Sequence, residues 1–245
     1  MIEQAEGLYS RQRDLELRLP NSILIIGCGG VGSWVGIFAA MSGVQAIHLY
    51  DPDFLEESNR NRLPFCESSL NRPKVDVLAD FIKGIRPEIM VIPIQNRITE
   101  ELLGAHLATN PSWVIDCTDS PKTQIMTFNV ATNINRGYIR AGYDGTHITV
   151  TSTVSGWIKN VEEETYEIRP SWVVPSAICG ALAVSKLLKY RGQEVGLDIS
   201  EIGIPALSRM SKREITARCY VKRKSSGGSV PAEVTPRRNT RRRRI

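Results

Sequence analysis

Apolar positions along the first 145 residues alternate between two rhythms. "ILII", residues 23–26, has no polar position, the pattern of a strand buried on both faces. Val31, Trp34, Val35, Phe38 and Ala39 then recur at helical spacing up to Gly43, a residue able to end a helix in the left-handed conformation. "AIHLYD" returns to strand, and Pro73 opens a helix on which Val75, Leu78, Ala79 and Ile82 share one face. "MVIPI" and "WVIDC" are predicted strands, with 98–108 helical between them. Ser120 and Pro121 supply a cap and first turn for a helix running to about Asn135, and "YIRAG" is the next strand. The alternation predicts an α/β fold, a doubly wound and mostly parallel sheet of the Rossmann type.

From His147 the rhythm changes. "HITVTSTVSGWI" and "ETYEIR" are rich in β-branched residues and predict antiparallel strands in the C-terminal part. Pro175 is expected to open a strongly apolar helix through Leu188. The stretch 195–211 is weakly patterned, and "EITARCYV" alternates as a strand does. "KRKSSGGSVPAEVTPRRNTRRRRI" has almost nothing to bury and is expected to be disordered. The expected organisation is a helical arm over 1–20, a nucleotide-binding domain over 21–220 and a basic tail over 221–245.

Composition adds limits. At 245 residues, 42% hydrophobic and 23% charged, the chain has the make-up of a globular protein with a sizeable core. No apolar run approaches the roughly 20 residues of a membrane span. The N-terminal stretch lacks the apolar core and cleavage site of a secretory signal, so a cytoplasmic location and no membrane partner are expected. Residues 221–245 hold nine Lys or Arg against one Glu, so the net charge of +5 is concentrated there and residues 1–220 carry −3. The five cysteines form no C-x-x-C pair, which argues against zinc and against a disulfide scaffold; buried reduced thiols are expected. The three histidines show no metal-ligand spacing, and His48, inside an apolar strand, is read as structural.

Candidate chemistry centres on "GCGGVG". Gly27, Gly29 and Gly32 satisfy G-x-G-x-x-G between a strand and a helix, with Gly30 inside the turn and Asp51 ending the second strand. Bare backbone approaches a phosphate, a helix N-terminus offers free N–H groups, and a carboxylate takes ribose hydroxyls. Glycines serving only tight strand–helix packing are the competing reading. Asp51 and Asp53 are followed by "SNRNR", residues 58–62, and by Lys74 at a helix start. Three cations behind one pocket exceed the need of a dinucleotide, and neither a nicotinamide slot nor a hydride-partner acid is evident. A magnesium–triphosphate fits better, with Arg and Lys balancing phosphates and a carboxylate on the metal. A solvated loop of charges is the rival. "DCTDS", residues 116–120, adds acidic residues at a strand tip, where an open parallel sheet binds ligands. Asp119 suits a magnesium ligand, although a plain helix cap is also consistent, and Asp116 is expected to order the turn.

In this order "GCGGVGS", "DPD", "SNRNR", "RPKV", "DCTDS", "YIRAGYDG" and the Pro175 helix resemble the ubiquitin-activating, ThiF/MoeB/HesA family of adenylating enzymes over roughly residues 7–190. The resemblance implies ATP-dependent transfer of AMP to a carboxylate. Its expected source is the C-terminal glycine of a small ubiquitin-fold or sulfur-carrier protein. One branch of the family acts instead on a modified tRNA carboxyl, and the arginine-rich tail suits RNA or an acidic partner. A nicotinamide-dependent oxidoreductase is the alternative of another class. By the same resemblance Gly27, Gly29, Gly30 and Gly32 line the adenosine and phosphate turn and Asp51 the ribose, with Asp53 beside it. Asn59, Arg62 and Lys74 contact the triphosphate, Asp119 directs magnesium, and Arg11 of "YSRQ" reaches the partner subunit's phosphates in a homodimer. Two departures stand out. No cysteine falls between 117 and 179, where thioester-forming members place one, and Arg60 occupies a position that relatives fill with an apolar residue.

Overall fold

The computed structural model describes residues 7–109, 111–145, 147–154 and 171–189. All of these lie in one compact unit, Met1–Glu201, and a second unit, Ile202–Ile245, is outside them. Five parallel strands are β1 (Ser22–Ile26), β2 (Ala46–Tyr50), β3 (Met90–Ile94), β4 (Trp113–Asp116) and β5 (Gly137–Asp144), and β6 (His147–Thr151) pairs antiparallel with β5. Their order across the sheet is β3-β2-β1-β4-β5-β6. The helices are α1 (Gly30–Ser42), α2 (Lys74–Ile85), α3 (Glu100–Thr109), α4 (Pro121–Asn133) and α5 (Val173–Leu188). This is the doubly wound, mostly parallel sheet that the alternating pattern predicts.

The apolar run of β1 explains the layering. Ile23 and Ile25 join a core built with α1, α2 and α5, while Leu24 and Ile26 pack on the other face with Leu103 and Leu107 of α3 and Val130 of α4. Pro93 is tolerated in β3 because that strand is an edge, where a missing N–H breaks no inner ladder. Gly43 ends α1 at φ 100, its N–H turning back to Ala40 O. Ser120 caps α4 by accepting from Thr123 N–H at 3.2 Å.

The described part of the expected N-terminal helical arm contains a 3-10 helix, Ser10–Leu15. Two expectations change. Helix α5 starts at Val173, so Pro175 sits inside its first turn, where a missing N–H costs no helical bond. Cys66 is exposed rather than buried; Ser68 and Ser69 hydroxyls beside its thiol hold it below the usual thiol range. The expected strands "ETYEIR" and "EITARCYV", the end of "HITVTSTVSGWI", the stretch 195–211 and the basic tail lie outside the described residues.

His48 is structural in a specific way. Its Nδ1 shares a hydrogen with His106 Nε2 of α3 at 2.8 Å, the rings meeting edge to face. Two rings sharing one hydrogen cannot both be charged. Burial, helped by His106, lowers His48 to about 4, and burial also lowers His106. The folded pKa lies below the unfolded one, so the stabilisation is complete above pH about 6.5 and is lost as pH falls toward 4. Urea unfolding at pH 7 and pH 4.5 is expected to show a loss on the order of 2 kcal/mol from this pair. A His48→Asn, His106→Gln variant that keeps the full acid slope would place its origin elsewhere.

Candidate functional site

The C-terminal ends of β1, β2 and β4 converge where the strand order reverses, the place at which an open α/β sheet leaves a crevice. Gly27 leaves β1 at φ 87, and a Cβ there would lie 3.0 Å from Cys117 O, so the turn after β4 packs directly on the glycine turn. A Cβ on Gly32 would overlap the Gly27 carbonyl oxygen, which brings α1 hard against the strand end. A Cβ on Gly29 would meet nothing within 4 Å. Two of these glycines serve close packing, and Gly29 faces open space. Gly29 is the N-cap of α1 and has no side chain to cap it, so among the described residues the first-turn N–H groups have no capping side chain.

Asp51 is buried at the end of β2. Its Oδ2 accepts from Cys28 N–H at 2.7 Å and its Oδ1 from Asp53 N–H at 2.8 Å. Burial raises its pKa, opposed by those two bonds and by the charge of Lys74. Lys74 Nζ bonds Asp53 Oδ2 at 2.9 Å, and a backbone bond from Lys74 N–H to Asp53 O at 2.9 Å fixes the pair. Their meeting is arranged by a short antiparallel contact of Phe54 with Pro73.

Arg62 lies across Gly30. Its Cδ is 3.2 Å from the position of a Cβ on that glycine, and Ser176 Oγ of α5 is 2.7 Å from the same position. The Arg62 carbonyl accepts from Trp34 Nε1 at 3.0 Å, anchoring the loop to α1. Asn59 is buried with its Oδ1 accepting from Glu56 N–H at 3.1 Å, so its carboxamide oxygen closes a capping box at the 3-10 helix Glu57–Asn59. Arg60, unexplained by sequence, pairs with Glu57 at 2.8 Å on the outer side of that helix. Asp119 is exposed in the turn between β4 and α4.

Residues 10–193 match the ThiF family. The chain belongs to that family. This ThiF-family chain is 30% identical over 146 residues to the tRNA threonylcarbamoyladenosine dehydratase of Escherichia coli strain K12, covering 57% of itself and 54% of the relative. It is 34% identical over 107 residues to the sulfur carrier protein ThiS adenylyltransferase of the same organism, covering 43% and 42%. The chain thus spans about half the length of the curated relatives it matches. Its fold is like that of Escherichia coli MccB solved with AMPCPP and MccA, with a TM-score of 0.63, 21% identity, and 75% and 63% of the two chains covered.

One predicted residue stands apart. Arg11 is exposed on the 3-10 helix, next to Gln12, whose Nε2 donates to Ser42 O at 2.8 Å at the C-terminal end of α1. The glycine turn is at the other end of this 13-residue helix, about 20 Å away. An arginine side chain cannot span that length within its own subunit.

Around Asp116, which is expected to order its turn, the C-terminal end of β4 in this ThiF-family chain also holds buried polar partners that the sequence did not reveal. Asp116 Oδ1 accepts from Thr118 N–H at 3.0 Å and Thr118 Oγ1 at 2.7 Å, and its Oδ2 accepts from the Thr127 hydroxyl. Burial raises its pKa against those bonds. Gln124 Nε2 donates to Thr118 O at 2.6 Å and its Oε1 accepts from Arg140 Nε at 2.8 Å. Asp116 therefore orders the turn that carries Asp119, as its place in "DCTDS" suggests. The visible signal for Arg140 was a cation in the apolar strand "YIRAG".

Proposed function

We propose that this protein binds ATP at the Gly27–Gly32 turn and transfers AMP to a carboxylate. The observation that carries the reading is the side chain of Arg62 laid over Gly30 at the uncapped N-terminus of α1, with Asp51 at the adjoining strand end. Uncapped N–H groups and a guanidinium together form a phosphate site. The ThiF-family match and the likeness to a named adenylyltransferase support the same chemistry.

In this reading Asp51 holds the ribose and the α1 N–H groups approach the phosphates through the space left by Gly29. Lys74 turns from Asp53 toward the phosphate chain. The carboxylate oxygen attacks the α-phosphorus and pyrophosphate leaves. Two anions must meet, so the protein's work is charge neutralisation and alignment. Asp119 would hold magnesium, which adds positive charge on the phosphate oxygens. The chemistry of the donor suits that ion: Asp119 offers an exposed carboxylate in the turn ordered by Asp116, and magnesium usually takes one or two carboxylates beside substrate phosphates. Cys28 and Cys179 are buried in the core, and burial lifts both thiols above their usual range. Arg11, remote from its own turn, serves the second site of a homodimer.

The substrate proposed first is the C-terminal glycine of a ubiquitin-fold or sulfur carrier, in line with the ThiS adenylyltransferase relative. The likeness to the threonylcarbamoyladenosine dehydratase favours a second reading, a carboxyl on modified tRNA, which the arginine-rich tail suits through backbone phosphates. Thermal shift with ATP and magnesium, NAD and NADP tests the cofactor: stabilisation is expected with ATP alone. ATP–pyrophosphate exchange driven by a Gly-terminated carrier, or by threonylcarbamoyl-tRNA, then separates the substrates. A shift with NAD and none with ATP would overturn the adenylation reading. No helix among the described residues is long and apolar enough to cross a membrane.

A further inference from the structure

Asn61, exposed and inside the "SNRNR" loop, makes two bonds in opposite directions. Its Oδ1 accepts from Arg62 Nη1 at 3.0 Å, and its Nδ2 donates to the main-chain oxygen of Ser171, 110 residues away, at 2.7 Å. We infer that Asn61 is a positioning residue that fixes the guanidinium of Arg62, whose stem lies against Gly30, by tying it to the segment entering α5. The inference rests on the nucleotide reading of Arg62.

The chemistry of the two partners settles the orientation of the carboxamide. A guanidinium only donates and a carbonyl only accepts, so a flipped amide would set N–H against N–H and oxygen against oxygen. The bond to Asn61 also joins a chain of contacts that returns to Gly30. Ser171 Oγ meets the Tyr143 hydroxyl, Ser176 Oγ donates to Tyr143 OH at 2.8 Å, and Ser176 Oγ stands with the Arg62 stem against the Cβ position of Gly30. Arg62 Nη1 is thus shared by Ser58 O at 2.8 Å and Asn61 Oδ1, while Nε and Nη2 have no protein acceptor among the described residues. Such a division holds one corner of the fork and leaves the other for phosphate oxygens. Without the carboxamide, a four-torsion side chain must be ordered by the ligand itself, at a cost in affinity.

Leucine is the informative substitution because it keeps the shape of asparagine and removes both bonds. Isothermal titration of ATP with magnesium is expected to show about tenfold weaker binding to Asn61→Leu, the scale of one hydrogen bond to a charged group. Adenosine, which has no phosphate for Arg62, is expected to bind both proteins equally. The Arg62→Ala, Asn61→Leu double variant is expected to bind ATP no more weakly than Arg62→Ala alone, because Asn61 acts only through the arginine. Unchanged ATP affinity in Asn61→Leu, an equal loss for adenosine, or additive losses in the double variant overturn the inference while leaving the role of Arg62 intact. Unchanged ATP affinity in Arg62→Ala overturns the nucleotide reading and the inference together.

Discussion

Arg62→Ala is expected to lower ATP–pyrophosphate exchange about 100-fold to 1,000-fold, the usual effect of removing one preorganised charge at a reacting phosphate. The size follows from the setting. Arg62 is braced on Gly30, on Ser58 O and through its carbonyl on Trp34, so its charge needs little reorganisation during the reaction. Asp119→Ala is expected to lose a similar factor, and extra magnesium should recover part of it if the carboxylate holds the metal. The fold should survive both, since Asp119 is exposed and Arg62 half-buried; unchanged thermal melting checks this. Normal exchange by both variants, with a substrate that the unaltered protein uses, would falsify the assignment. The same assay tests the remote Arg11. If it acts across subunits, mixed Arg11→Ala and Lys74→Ala protomers should regain activity that neither has alone, because one site of the mixed dimer keeps both cations.

What the sequence could and could not tell divides along physical lines. Buried strands and amphipathic helices print a period on the chain, so β1 to β5 and the helices between them were legible from apolar spacing. The start of α5 was not, because proline is accepted anywhere in a first turn and therefore marks a helix start only to within a few residues. Gly27 and Gly32 were legible because a positive φ and a close helix–strand approach demand them. Partnerships between distant residues leave no local mark. Nothing in "SNRNR" separates Arg60, which pairs with Glu57, from Arg62, which lies over Gly30. Nothing in it announces that Asn61 reaches Ser171 or that the oxygen of Asn59 serves its own turn. The same holds for Lys74, whose predicted role required an available charge and whose ammonium is already paired with Asp53.

The four glycines, alike in the sequence, should respond differently to a single methyl group. Gly32→Ala is expected to cost more than about 4 kcal/mol, at the extreme for one substitution. Its methyl would overlap Gly27 O, stand 2.9 Å from Gly27 C and press on Ile25 Cγ2 at 3.3 Å, so either α1 lifts from β1 or the turn breaks. Neither backbone atom can swing aside as a side-chain tip could. Denaturant unfolding reads this directly, and a stable, cooperatively folding Gly32→Ala protein would refute the close approach. Gly29→Ala should do the reverse. Its φ of −74° suits any residue and its methyl enters open space, so stability should fall by no more than about 1 kcal/mol, the scale of an altered N-cap. That open space is where the proposed phosphates must come against bare backbone, so ATP affinity should drop at least about tenfold, the worth of one lost charge-assisted contact. If Gly29→Ala keeps full affinity, the phosphates lie elsewhere, and the glycines of this turn serve only to pack a helix on a strand.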